Sequence, residues 1–134
     1  MRTFSFLSLL LVLGAFCHAQ SQPVSKAIRT KIEGTELDRR MLLEKLNTHG
    51  QDHRMRFELA ESDFDYRIAF STGQGTTQTT WGELNSSIAS TDVFDPKGTE
   101  LFRFERKGRG SDEGAANAAA NEIIKRILKL NSLH

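Results

Sequence analysis

Three stretches of this chain alternate apolar and charged residues with a period of two. They are "RMRFELA" from Arg54, "FDYRIAF" from Phe64 and "TELFRFERK" from Thr99. A helix would scatter that pattern around its surface, whereas a strand puts every second side chain on one face. Met55, Phe57 and Leu59 therefore point one way, and Arg54, Arg56 and Glu58 the other. Phe64, Tyr66, Ile68 and Phe70 share a face, as do Phe102 and Phe104. All eight aromatic residues after residue 19 lie between Phe57 and Phe104, so the sheet is expected there. The first two runs are separated only by "ESD". They are expected to form a hairpin in which Arg56 and Glu58 pair across with Asp65 and Arg67.

Two helical segments flank these strands. "TELDRRMLLEKLNTHG" offers Thr35 as N-cap, Glu36 and Asp38 at the positive end, and Gly50 as a left-handed stop. Leu37, Met41, Leu42 and Leu46 form its expected buried stripe. The closing segment from Ser111 has Asp112 and Glu113 at its start and Lys125, Arg126 and Lys129 near its end, which suits the helix dipole. Its face of Ala116, Ala120, Ile123, Ile127 and Leu130 lets the alanine half lie close on a sheet while the other half fills a wider core. "AIRTKIEG" alternates Ile28, Thr30 and Ile32 against Arg29, Lys31 and Glu33, which suits a strand. The four-residue spacing of Ile28 and Ile32 also suits a helix, and Gly34 ends either one. "ELNSSIASTDVF" reads as a less regular strand, and "DPKG" (Asp95 to Gly98) as a tight turn. The fold class is α+β in the order β-α-β-β-β-β-α. The sheet is antiparallel-rich with two helices packed on one face, and the first strand is open to parallel pairing through the first helix.

The chain begins "MRTFSFLSLLLVLGAFCHAQSQ": one basic residue, a short apolar run, then small Ala19 before a polar stretch. That is the order of a secretory signal peptide over residues 1–19, with cleavage between Ala19 and Gln20. The run is shorter than the roughly 18 apolar residues of a membrane span. A lipid-anchored Cys17 would want a small residue in place of Phe16. Residues 20–26 read as a linker and 27–134 as one domain. Loss of Arg2 brings the 18 basic residues level with the 17 acidic ones, a balance that argues against nucleic-acid binding. The sole cysteine falls in the leader, so no disulfide or thiolate site is expected in the domain. Export is expected, with the periplasm favoured over the extracellular space, and no membrane span after cleavage.

"FSTGQGTTQTTWGELNSS" (Phe70 to Ser87) holds the one tryptophan and a charge-free run of Gly, Thr and Gln. Gln78 stands where a dinucleotide fingerprint needs glycine, and no Gly-Lys-Ser/Thr follows, so a phosphate cradle is disfavoured. The stretch is expected to be a long hairpin connection whose "TTQTTW" half enters the next strand. Thr77, Thr79 and Trp81 would then share a face and form a candidate binding edge. Arg103, Arg106, Lys107 and Arg109 form a basic cluster in which Arg103 and Arg106 are further candidates for an acidic partner. Glu105 interrupts that cluster, and charges of this kind also keep strand edges unpaired. His49, Asp52 and His53 have no third ligand nearby, and no metal or cofactor is expected. No Gly-x-Ser-x-Gly elbow marks a nucleophile, and no catalytic residue stands out. The expected role is a non-enzymatic binding module with an unknown protein or envelope partner. The alternative is a small secreted hydrolase or hydrolase inhibitor using Gly73 to Trp81.

"FDYRIAF", "STGQGTTQTT", "VFDPKGTELFRF" and the helix from Ser111 follow one another in a familiar order. Over Arg54 to Leu130 the chain resembles the small envelope domains of the curli-secretion lipoprotein and penicillin-binding-protein-activator group. The resemblance implies an envelope assembly domain without enzymatic activity. It carries no catalytic residue onto this sequence.

Overall fold

The computed structural model describes residues 26–108 and 110–132, apart from the side chains of Lys26 and Thr77. The expected leader, its cleavage point, Arg109 and His134 lie outside these residues. Strand β1 (Lys26–Glu33) leads into helix α1 (Glu36–Gly50) and a 3₁₀ turn (Gln51–His53). Then come β2 (Met55–Leu59), β3 (Tyr66–Thr79), β4 (Gly82–Phe94), β5 (Glu100–Gly108) and α2 (Asp112–Ser132). The order is the expected β-α-β-β-β-β-α. Both N-caps act as their sequences suggest: Thr35 Oγ1 accepts from the Asp38 amide at 3.1 Å, and Ser111 Oγ from the Gly114 amide at 3.0 Å. The Asp95 carboxylate closes the "DPKG" turn by accepting from the Lys97 and Thr99 amides, both at 2.9 Å.

The five strands form one mixed sheet in the order β2-β1-β3-β4-β5. The expected β2–β3 hairpin is absent. β1 lies between these strands and is parallel to both, pairing Lys26–Thr30 with Met55–Leu59 and Thr30–Glu33 with Tyr66–Ala69. The chain runs along one side of the first half of β1, crosses it near Thr30, and continues along the other side. Alternation fixes which face a side chain takes but says nothing about which strand is its neighbour. The crossing is held by Arg29, whose guanidinium donates to the Asp63 carbonyl at 2.9 Å and the Ser62 carbonyl at 3.0 Å. The Arg29 amide also donates to Asp65 Oδ2, and the Asp65 amide returns a bond to the Arg29 carbonyl. Arg56 and Glu58 are thus removed from Asp65 and Arg67. Glu58 meets Arg29 at 3.7 Å, and Arg67 meets Glu33 at 2.7 Å.

Both helices cover one face of the sheet. The core joins Ile28 and Ile32 of β1, Leu42 and Leu46 of α1, Ile68 and Phe70 of β3, Val93 of β4 and the Ala115–Ile127 stripe of α2. Four small residues, Ala115, Ala116, Ala119 and Ala120, are fully buried, which brings the first half of α2 close to the sheet. The other sheet face carries the charged positions, including Arg29, Glu33, Arg67, Asp92 and Arg103. Helix α1 and strand β2 otherwise differ from expectation in three details. Leu37 is 56% exposed, and Asp38 takes the buried position one residue on. Leu59 ends β2 at 49% exposure, because the chain there turns away to cross β1. Gly50 is right-handed, at φ −68°, and Arg54 supplies the left-handed stop at φ 56°. Glycine is needed at position 50 for space: a Cβ there would lie 2.6 Å from the Met55 carbonyl oxygen.

Candidate functional site

The long connection expected after Phe70 is strand instead as far as Thr79, and Thr76 to Thr79 of the "TTQTTW" half belong to β3 rather than to the next strand. β3 runs unbroken for 14 residues to Thr79, and only Thr80 and Trp81 form the turn before β4 returns. β1 accompanies β3 only as far as Ala69, and β5 accompanies β4 only from Ser87. Beyond those limits the β3–β4 ladder continues alone through Gly75↔Ser86 to Thr79↔Gly82. The result is a two-stranded arm projecting about 15 Å past its neighbours, at about 3.3 Å per residue. Threonine supports such a ribbon because its branched side chain favours extended backbone without needing burial.

The tip is closed by one side chain. Thr79 Oγ1 donates to the Gly82 carbonyl at 2.6 Å and accepts from the Trp81 amide at 3.1 Å. Gly82 takes φ +119°, which a residue with a Cβ rarely adopts. This geometry leaves Trp81 96% exposed at the tip and Leu84 59% exposed on β4. The base of the arm is tied to both helices. Thr72 Oγ1 donates to Asp38 Oδ1 of α1, and Ser87 Oγ donates to Asp112 Oδ1 of α2, each at 2.7 Å. Between Ser71 and Ser90 the sole charge is Glu83. The edge strands β2 and β5, by contrast, carry Arg56, Glu58, Arg103, Glu105 and Lys107.

The candidate residues fall into two groups. Thr79 and Trp81 belong to the arm. Thr77 occupies the arm opposite Leu84, with its side chain outside the described residues. Arg106 and Arg103 lie on β5, level with Ala89 and Asp92 and so roughly 25 Å and 35 Å along the sheet from the tip at strand spacing. Both arginines have carboxylate partners. Arg103 meets Asp92 at 2.9 Å and Glu100 at 3.0 Å, and Arg106 meets Glu122 of α2 at 2.8 Å. Asp92, then Glu100, raise the affinity of Arg103 for its proton. Arg126 and Arg106, in that order, hold the Glu122 carboxyl below its usual range by hydrogen bonding. His49 is engaged with Asn117 Oδ1 at 2.8 Å. Among the described residues no three His, Cys, Asp or Glu side chains gather as metal ligands, and no helix is long and apolar enough to cross a membrane.

Two hollows among the described residues lie away from Gly73 to Trp81. One of about 480 Å³ lies between β5 and the second half of α2, and one of about 600 Å³ lies on the open sheet face around Asp92 and Arg103. Sequence reading singled out Trp81 but not Leu84, which stands in a polar stretch without periodicity. Nor did it identify Asp38 and Ser87 as the anchors of the arm, since both sit in ordinary capping or strand contexts.

No protein-family model and no curated protein matches the chain. Several solved structures do. A minor lipoprotein from Acinetobacter baumannii aligns at 11% identity over 77% of this chain and 92% of that one, with TM-score 0.45. An uncharacterized lipoprotein B from Nitrosomonas europaea aligns at 12% identity over 84% and 92%, with TM-score 0.46. The PelC dodecamer from Paraburkholderia phytofirmans aligns at 13% identity over 80% and 94%, with TM-score 0.44. None of these three structures is described as a curli-secretion protein or a penicillin-binding-protein activator.

Proposed function

We propose that this chain is an exported, non-enzymatic accessory module of the bacterial envelope that docks a partner protein through the β3–β4 arm. Export rests on the leader pattern with cleavage between Ala19 and Gln20, and the absence of domain cysteines favours the periplasm. The observation that carries the docking reading is Trp81, 96% exposed at the tip of a nearly uncharged ribbon. Free strand edges are ordinarily guarded by charge, as β2 and β5 are here. Among the described residues no strand pairs with either outer edge of the arm, and only Glu83 guards them, so a partner strand can add to it. Trp81 and Leu84 would supply apolar anchors, with Thr77 and Thr79 beside them. Aromatic anchors commonly carry most of the energy of such contacts. Arg103 and Arg106 stand apart from this surface and already satisfy carboxylates.

A photo-crosslinking residue at position 81 of the full-length chain, in cells that export it, tests the proposal. The expected result is one discrete protein adduct from position 81 and none from Leu37, an apolar residue 56% exposed on α1. Adducts from both positions alike, or from neither, would count against the arm. A cytoplasmic, unprocessed chain would count against the envelope assignment.

A further inference from the structure

The hollow of about 480 Å³ between β5 and α2 has a mixed lining with a definite sign. The β4–β5 register shifts at Val93/Phe94, so that Phe94 pairs with Glu100 and Val93 with Phe102. Leu101 is the extra residue of that bulge. A bulge re-aims the side chains around it, and here Leu101 and Phe102 both line the groove, with Leu130 of α2 completing an apolar floor. Along one wall stand Lys125, Arg126 and Lys129, against a single carboxylate, Glu122. That carboxylate is fully engaged: Oε1 meets Arg106 at 2.8 Å and Oε2 meets Arg126 at 2.7 Å. Arg126 is further fixed over the rings of Phe102 and Phe104, at 5.5 and 5.1 Å from their centroids. Lys125 and Lys129 are exposed and make no ion pair among the described residues. They also border a second hollow of about 440 Å³ beside His53, so the two ammonium groups form a ridge reachable from both sides.

We propose that this groove docks an acidic segment of a partner protein, with one or two apolar side chains on Leu101, Phe102 and Leu130 and carboxylates against Lys125 and Lys129. The site is separate from the arm and independent of it. The excess of positive charge selects the sign of the partner. The open side of the groove favours a protein segment over a single lipid chain, because small apolar ligands take sites that bury most of their surface.

A display library of random seven-residue peptides, panned against the full chain, tests this. Enriched peptides are expected to combine Asp or Glu with Leu, Ile or Phe and to perturb backbone amides of Leu101–Arg103 and Lys125–Leu130. Their affinity should fall about tenfold or more in the double variant Lys125→Glu/Lys129→Glu and weaken with added salt. It should be unchanged in Trp81→Ala, which separates this site from the arm. Both lysines are exposed, so the reversed chain is expected to fold, and its circular dichroism checks this. Enrichment of neutral or basic peptides, no enrichment over the double variant, or amide changes elsewhere would overturn the proposal. So would binding to phosphatidylglycerol vesicles that the double variant abolishes, with no acidic peptide enriched; that result assigns the groove to a lipid surface.

Discussion

Thr72 Oγ1 donates a 2.7 Å hydrogen bond to Asp38 Oδ1, joining the base of the β3–β4 arm to the first turn of α1. Asp38 is only 6% exposed and sits three residues after the N-cap, where its own amide donates to Thr35. One carboxylate thus serves the positive end of a helix and the root of the projecting ribbon. Asp38→Ala strands the Thr72 hydroxyl and removes the favourable dipole contact. We expect a loss of about 1–3 kcal/mol in urea unfolding. Asp38→Asn, which still accepts from Thr72, should recover most of it. Equal losses in both variants would show that the charge rather than the hydrogen bond matters.

Arg29 is the clasp of the crossing between β2 and β3. Its guanidinium binds two carbonyls at once, a geometry an ammonium group cannot copy. Arg29→Ala should destabilise the fold by about 1–2 kcal/mol, since the side chain is partly solvated. Arg29→Lys should restore little. Thermal unfolding of the three chains measures the difference, and a lysine variant matching the parent would refute the clasp.

Trp81 is the one tryptophan, so intrinsic fluorescence reports on the arm tip alone. Because the indole is already in water, its emission should shift little as urea unfolds the chain, while circular dichroism records the full transition. Trp81→Ala should change stability by no more than about 0.5 kcal/mol. A large blue-shifted emission in the native state would place the ring against other protein and contradict the exposed tip.

Glu122 links β5 to α2 through Arg106 and Arg126, and their hydrogen bonds lower its pKa in the folded chain. A carboxyl depressed in this way adds stability above its unfolded value, near pH 4.3. It loses that contribution as pH falls through the lower folded value. Glu122→Gln should therefore be less stable than the parent above about pH 5 and show a shallower decline on acidification. Parallel stability curves for the two chains would remove Glu122 from the acid response.

Much of the architecture is legible along the chain because it depends on local rules. Period-two runs mark strands, the Thr35 and Ser111 caps mark helix starts, and the Asp95–Gly98 turn is specified by its own residues. Ile28, Thr30 and Ile32 carry enough alternation to declare β1, although the same spacing also suited a helix. At the candidate site, the sequence points to Trp81 through its isolation in an uncharged stretch. It does not reveal that β3 continues through Ser71 to Thr79, since Gly, Thr and Gln suit loop or strand until a partner strand pairs with them.

What remained for the tertiary structure were the relationships between distant segments. Nothing in "RMRFELA" or "FDYRIAF" announces that β1 inserts between them, because alternation encodes a face and not a neighbour. Leu37 and Leu59 look like core residues by spacing, yet both are exposed. Helix α1 is rotated to bury Asp38 against Thr72, and β2 stops where the chain must cross Arg29. The arm exists because β1 and β5 end short of the β3–β4 turn, a matter of relative strand lengths after assembly. The sequence by itself determined the elements, their order and their buried faces, through backbone preference and apolar periodicity. Only packing decided who pairs with whom and what is left uncovered, because those outcomes depend on residues far apart in the chain competing for the same surface.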